Sequence, residues 1–245
     1  MSATAAIATP AELQTIVAAR QLRDVRSVLI GVGRPGTAAL LAREVHNPEL
    51  VLIYESGAIG AKPRHVPLSI GDGELAKTGD AVVGLPEIFN YWIAPGRIDV
   101  AFLGAAQVDR HGNLNSTVIG DYEHPRVRLP GAGGAPEIAA GCREVVIVVP
   151  HEQRTLVDRL DFLTTPGGGS GASRGAGPSA VVTDLAVLRP AGRSRELVLD
   201  EIHPGVSVEQ VREATGWPLR CGELVRSTAP ASERELSTLR EMIQR

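Results

Sequence analysis

Four runs of consecutive aliphatic residues restrict what this chain can become: 27–31 (SVLIG), 50–54 (LVLIY), 99–104 (DVAFLG) and 144–149 (EVVIVV). A strand with one wet face alternates apolar and polar residues, whereas a strand covered on both faces stays apolar throughout. These runs are of the second kind. Residues 81–84, 180–184 and 196–202 read as further strands. Helical patterns separate them. Thr9, Pro10 and Glu12 form a capping box with proline at the first helical position, and Leu13, Ile16, Val17 and Leu22 then fall near one face. Helices follow at 37–45 (TAALLAREV), 86–93, 152–160 and 208–215, the last capped by Ser207, and Ser232 with Glu235 boxes a final one. The strand, helix and strand over 27–54 make a βαβ unit with parallel pairing and a right-handed crossover. The expected fold is α/β: an open, mostly parallel sheet covered by helices on both faces, in one domain over residues 1–245. The Gly/Ser-rich stretch 165–178 reads as a flexible loop within it.

Composition removes whole classes of function. Lys and Arg number 25 against 28 Asp and Glu, a net charge of −3 that argues against nucleic acid as a partner. Only 3% of residues are aromatic, so the core must be aliphatic and a base-stacking platform is excluded. The longest uninterrupted apolar run, 145–149, falls far short of the ~18 residues of a membrane span. The opening MSATAAIATP lacks the basic and long apolar regions of a secretory leader, so a cytoplasmic location is expected. Two cysteines, Cys142 and Cys221, can build neither a disulfide framework nor a metal cluster alone. No metal is expected.

Four features carry chemistry. Gly31, Gly33 and Gly36 spell G-x-G-x-x-G between a strand and a helix, and Glu55 ends the next strand 22 residues after Gly33. That spacing is formally a dinucleotide fingerprint, although Pro35 removes a backbone N–H from the turn. Gly31 and Gly33 equally suit any sheet end that must let a ligand approach. Glu55 is the second feature. Carboxylates at the carboxyl ends of parallel strands point into the crevice where such sheets bind ligands, and partial desolvation there makes a stronger nucleophile or base. Ser56 and Gly57 turn the chain sharply behind it. The third feature is 104–115 (GAAQVDRHGNLN), which gathers Gln107, Asp109, His111, Asn113 and Asn115. It is either an ordinary polar turn or a set of amides that orient a carbonyl; Asp109 and His111 make a poor metal pair. The fourth is 129–138 (LPGAGGAPEI), which is either a structural turn or a site where bare N–H groups at Gly133 and Gly134 converge on one oxygen ahead of a helix that Pro136 starts. Acyl transfer is the chemistry most in need of such a turn.

In order along the chain, VLIYESGAIGAKP, VPLSIGDGEL, GAAQVDRHGNLNSTVIGDY and RLPGAGGAPEIA resemble the β subunits of class I CoA-transferases of the glutaconate branch. Within that branch they look most like the 3-oxoadipate-specific β subunits. The likeness is strong over residues 10–166 and looser beyond. It implies that Glu55 is the nucleophile that attacks an acyl-CoA thioester, forming an acyl anhydride and then a glutamyl-CoA thioester. It also implies that Gly133 and Gly134 stabilise the oxyanion with Gln107 lining the thioester pocket. Gly31, Gly33, Ser56 and Gly57 would wall the substrate pocket. The resemblance implies succinyl-CoA as donor, a dicarboxylate such as 3-oxoadipate or glutaconate as acceptor, and no cofactor beyond the coenzyme A thioester as substrate. A separate α subunit of similar fold is expected, in an αβ or α2β2 assembly. Thioester-hydrolysing and ring-cleaving relatives lose the glutamate, so Glu55 favours transfer over those and over a non-catalytic ligand-sensing domain. Six of the eight aromatic residues (Tyr54, Phe89, Tyr91, Trp92, Phe102 and Tyr122) lie between Tyr54 and Tyr122, the part of the chain that bears most of these motifs, where they either shape a crevice or fill the core.

Overall fold

The computed structural model describes residues 7–31, 33–167 and 177–244, and in it each of the four aliphatic runs becomes a strand. In chain order the first half contains α1 (Pro10–Arg20), β1 (Ser27–Ile30), α2 (Arg34–Val45), β2 (Val51–Tyr54), β3 (Ala58–Ile59), α3 (Gly73–Thr78), β4 (Ala81–Val82) and α4 (Leu85–Glu87). A π-helical turn, Ile88–Ile93, continues α4. Then come β5 (Val100–Leu103), the small hairpins β6 (Gln107–Val108) with β7 (Leu114–Asn115) and β8 (Val118–Gly120) with β9 (Pro125–Arg128), α5 (Ala135–Gly141) and β10 (Glu144–Val148). The last part contains β11 (Pro178–Val182), β12 (Ala186–Ala191), β13 (Glu196–Ile202), α6 (Val208–Glu213), β14 (Cys221–Ser227) and α7 (Glu233–Gln244).

Ten strands form one sheet in the order β14-β13-β12-β11-β10-β5-β1-β2-β3-β4. The five central strands, β11 to β2 in that order, run parallel. Antiparallel hairpins extend the sheet at both sides, β3 and β4 beyond β2 and β12 and β13 beyond β11, and β14 lies parallel to β13. Strand alternation divides the core in two. Val28, Ile30, Leu52, Tyr54, Val100, Phe102, Val146 and Val148 pack with α1, α2 and α7 on one face. Leu29, Ile53, Ala101, Leu103, Val145 and Ile147 pack on the other with Ile88, Ile93, Ile138 and Val211. Neither side of a central strand meets water, hence the unbroken apolar runs.

Capping signals are realised where expected. At α1 Thr9 Oγ1 accepts from the Glu12 N–H at 3.2 Å, and the Glu12 carboxylate accepts from the Thr9 N–H at 2.8 Å. Ser207 with Gln210 does the same for α6, and Ser232 with Glu235 for α7. The helix expected at 152–160 is absent. Val108 donates to the Thr155 carbonyl at 2.7 Å and accepts from the Val157 N–H at 2.9 Å, so this stretch pairs with β6 in a parallel bridge. Tertiary hydrogen bonds there override a weak helical pattern. The Gly/Ser-rich stretch is narrower than its composition indicates: Thr165 is buried and bridged to Leu114, and Pro178 already begins β11. Its middle, 168–176, lies outside the described residues.

Candidate active site

Tyr54 ends β2 with its ring buried on the α1–α2 face, and by strand alternation the next residue, Glu55, turns toward the opposite face. A tight turn follows, closed by the Gly57 N–H on the Tyr54 carbonyl at 3.0 Å. Gly57 has φ +108°, and any side chain there would collide with the Val83 carbonyl. Gly57, expected in the substrate-pocket wall, is therefore a buried glycine packed against the loop after β4; Ser56 beside it is half-buried.

Glu55 is partly buried and makes no hydrogen bond or ion pair among the described residues. Loss of water alone raises its pKa above the usual carboxylate range. A desolvated anion with no cation beside it is a poor structural element and a good nucleophile. It faces the glycine turn that precedes α5. A Cβ at Gly134 would lie 3.3 Å from Glu55 Oε2 and 2.5 Å from Phe89 Cζ, so only glycine lets these three approach. Gly131 and Gly133 take φ +101° and +52°, and the N–H groups of Gly133 and Gly134 carry no hydrogen bond among the described residues. Unengaged donors in a turn that brings Gly134 close to a carboxylate suit a carbonyl oxygen that gains charge as that carboxylate attacks.

Gly31 ends up beside Glu55, since Ile30 and Tyr54 are register partners in adjacent strands. A Cβ at Gly31 or Gly33 would meet nothing within 4 Å, so these glycines keep the rim open instead of relieving a clash. Gly33 also needs its φ of +81° to start α2. Gly36 differs: a Cβ there would lie 2.7 Å from the Gly31 carbonyl, so it serves helix–strand packing.

Gln107 is placed differently from the pocket-lining role the motif implies. It is buried, its Oε1 accepts from Asn115 Nδ2 at 2.7 Å and from the Asp161 N–H at 3.0 Å, and its Nε2 donates to Asp161 Oδ2 at 3.1 Å. Asp161 Oδ2 also receives the Gly120 N–H at 2.9 Å. Both ends of this amide are engaged in tying the two hairpins to the loop at 161. Asp109 likewise closes its own turn, accepting from the N–H groups of His111 at 2.9 Å and Asn113 at 3.0 Å.

The aromatic residues do not converge on Glu55. Tyr54 and Phe102 belong to the core of the other face, Tyr91 is exposed, and Trp92 lines a cavity with Ser27 and Asp99 at the amino ends of the strands. Tyr122 stacks on Phe162 at 5.3 Å under the Arg128 guanidinium at 5.0 Å. Phe89 is the aromatic residue that meets the Gly134 turn. Its sequence signal is faint, because a π-helical turn is what aims it. A second residue without a sequence signal of its own is Arg34, the first residue of α2, whose Nη1 donates to Gln14 Oε1 at 2.5 Å.

Comparison with known proteins adds a family. The coenzyme A transferase family model matches residues 12–214. The chain is 53% identical over 238 residues to the β subunit of the 3-oxoadipate CoA-transferase of Pseudomonas knackmussii, covering 94% of this chain and 92% of that protein. It is 35% identical over 233 residues to the β subunit of the glutaconate CoA-transferase of Acidaminococcus fermentans, covering 89% and 86%. The crystal structure of glutaconate coenzyme A-transferase from that organism superposes with a TM-score of 0.90 at 31% identity, over 96% of this chain and 95% of that one.

Proposed function

The chain belongs to the coenzyme A transferase family, and from that premise we propose that it moves coenzyme A from succinyl-CoA to a dicarboxylic 3-oxo acid, 3-oxoadipate, through Glu55. The observation that carries this reading is the partly desolvated Glu55 carboxylate, unpartnered among the described residues and close to Gly134, in a turn where the Gly133 and Gly134 N–H groups carry no hydrogen bond among the described residues. A Glu55 oxygen attacks the thioester carbonyl, the oxyanion sits on those two donors, and the C–S bond breaks to release the CoA thiolate and leave an acyl anhydride on Glu55. The thiolate attacks the glutamyl carbonyl, forming a glutamyl-CoA thioester and releasing succinate. A carboxylate of the acceptor then attacks that thioester, giving a second anhydride and free thiolate. Attack of the thiolate on the acceptor acyl carbon yields the new acyl-CoA and restores Glu55. Each step exchanges one acyl–oxygen for one acyl–sulfur bond, so neither redox cofactor nor metal enters. Both of these transferase relatives are named as one subunit of a larger enzyme, and we assign this chain a separate α subunit of similar fold, in an αβ or α2β2 assembly in the cytoplasm.

The test is to purify the chain with its α partner and incubate the complex with succinyl-CoA alone. A CoA adduct on this chain, mapped to Glu55 and released by hydroxylamine, is the expected result. An absence of adduct with any acyl-CoA donor, together with full turnover in Glu55→Ala, overturns the mechanism.

A further inference from the structure

Arg34 begins α2 one turn beyond the carboxyl end of β1, on the rim that also carries Glu55. No carboxylate pairs with it among the described residues. Its guanidinium is nevertheless held in place. Gln14 is fully buried in α1, and its Nε2 donates to the carbonyls of Val149 at 2.7 Å and Val182 at 3.1 Å, at the carboxyl ends of β10 and β11. That leaves the Gln14 Oε1 to receive Arg34 Nη1 at 2.5 Å. A buried amide locked to two strand ends thus fixes an exposed cation across the end of β5, which lies between β1 and β10. The anchor is neutral, so the arginine keeps its full charge and its remaining donors. Counted at ~4.8 Å per strand from β2 to β5 or β10, the guanidinium stands at least about 10 to 14 Å along the rim from Glu55, which turns toward the other face of the sheet.

We propose that Arg34 is a substrate-binding residue that takes an oxyanion of the substrates, either the distal carboxylate of the dicarboxylic acid or a phosphate of coenzyme A, with Gln14 as its positioning residue. The inference rests on the transferase reading given above and names the group that discriminates charged from uncharged ends at the same rim. An arginine with several free donors suits both anions, since carboxylate and phosphate both accept its paired N–H groups.

Binding is measured by calorimetry on the complex with the α subunit, wild type against Arg34→Gln and Arg34→Lys, with four probes: adipate, hexanoate, coenzyme A and pantetheine. Loss of a charged hydrogen-bonded contact is expected to weaken one anion about 10- to 100-fold in Arg34→Gln, with partial recovery in Arg34→Lys. Weakened adipate with unchanged hexanoate identifies the carboxylate; weakened coenzyme A with unchanged pantetheine identifies a phosphate. The proposal is overturned if adipate and coenzyme A each stay within twofold. It is also overturned if charged and uncharged probes weaken alike, or if wild type binds neither anion. Because binding is read without turnover, failure of Glu55 to form an adduct refutes the transferase reading alone. A normal adduct with unchanged anion binding refutes only the role of Arg34.

Discussion

Glu55 and Glu235 are both withdrawn from solvent, and the fold treats them in opposite ways. Glu235, 2% exposed in α7, receives Arg20 Nε at 2.7 Å and Nη2 at 2.7 Å, and the N–H and hydroxyl of Ser232 at 2.8 Å each. Burial raises its pKa, but the guanidinium and the cap outweigh burial and bring it down to about 2. Glu55 has burial without compensation, so its pKa is raised. The first arrangement stabilises an anion by satisfying it and the second leaves an anion reactive. Location follows the same division: Glu235 stitches α7 to α1, whereas Glu55 sits at the open end of the parallel strands.

That contrast breaks if the two carboxylates prove interchangeable in what they control. Glu55→Gln should lower transfer at least ~1,000-fold, about 4 kcal/mol in the barrier, because the amide cannot attack a thioester. Its melting temperature should hold or rise, since removing a desolvated anion relieves a burden on the fold; a large fall would mean Glu55 is structural. Glu235→Ala should do the reverse. It leaves the Arg20 guanidinium without its carboxylate, held only by the Ala229 and Pro230 carbonyls, a loss of about 3 kcal/mol or roughly 6–12 °C in Tm, with kcat in the folded fraction unchanged.

A titration sharpens the same comparison. The folded pKa of Glu235, about 2, lies below its unbonded value of 4.5, so its stabilisation is complete above pH 4.5. That stabilisation is lost as pH falls from 4.5 toward 2, and acid unfolding followed by circular dichroism should shift upward in pH in Glu235→Ala. The Glu55 shift has the opposite sign. Transfer at saturating donor should therefore fail on acidification at a pH above the usual carboxylate range, while the fold is still intact. The smallest effect is expected at Gly134→Ala. A methyl there meets Phe89 Cζ at 2.5 Å and Glu55 Oε2 at 3.3 Å, so kcat should fall about 10- to 30-fold as the ring and carboxylate shift, about 1–2 kcal/mol. An unchanged kcat would show that this approach is not used.

Much of the molecule is legible in its sequence. Continuous aliphatic runs marked the central strands, because strands buried on both faces need no polar side. The boxes at Thr9, Ser207 and Ser232 marked three helix starts, since capping is satisfied within a single turn. Less was legible where bonds are long-range. The short strands β3, β6 and β7 and the edge strand β14 have no periodic signal of their own, and β12 hides behind Arg189 and Pro190. The 152–160 segment carries a helical pattern that its backbone abandons for Val108.

The residue types of the candidate site were determined by the sequence alone, because each answers to a local demand. An acid ends a buried strand, glycines adopt positive φ in the turn before α5, and glycines at 31 and 33 leave the rim bare. Their assembly was decided only by tertiary structure. Strand register puts Gly31 beside Glu55, and a π-helical turn brings Phe89 against Gly134. Asp161, 54 residues away, engages the amide of Gln107, and Gln14 reaches 135 and 168 residues along the chain for the carbonyls that let it hold Arg34. Such contacts join residues that share no local pattern, and their geometry exists only once the sheet has brought its strand ends to a common rim.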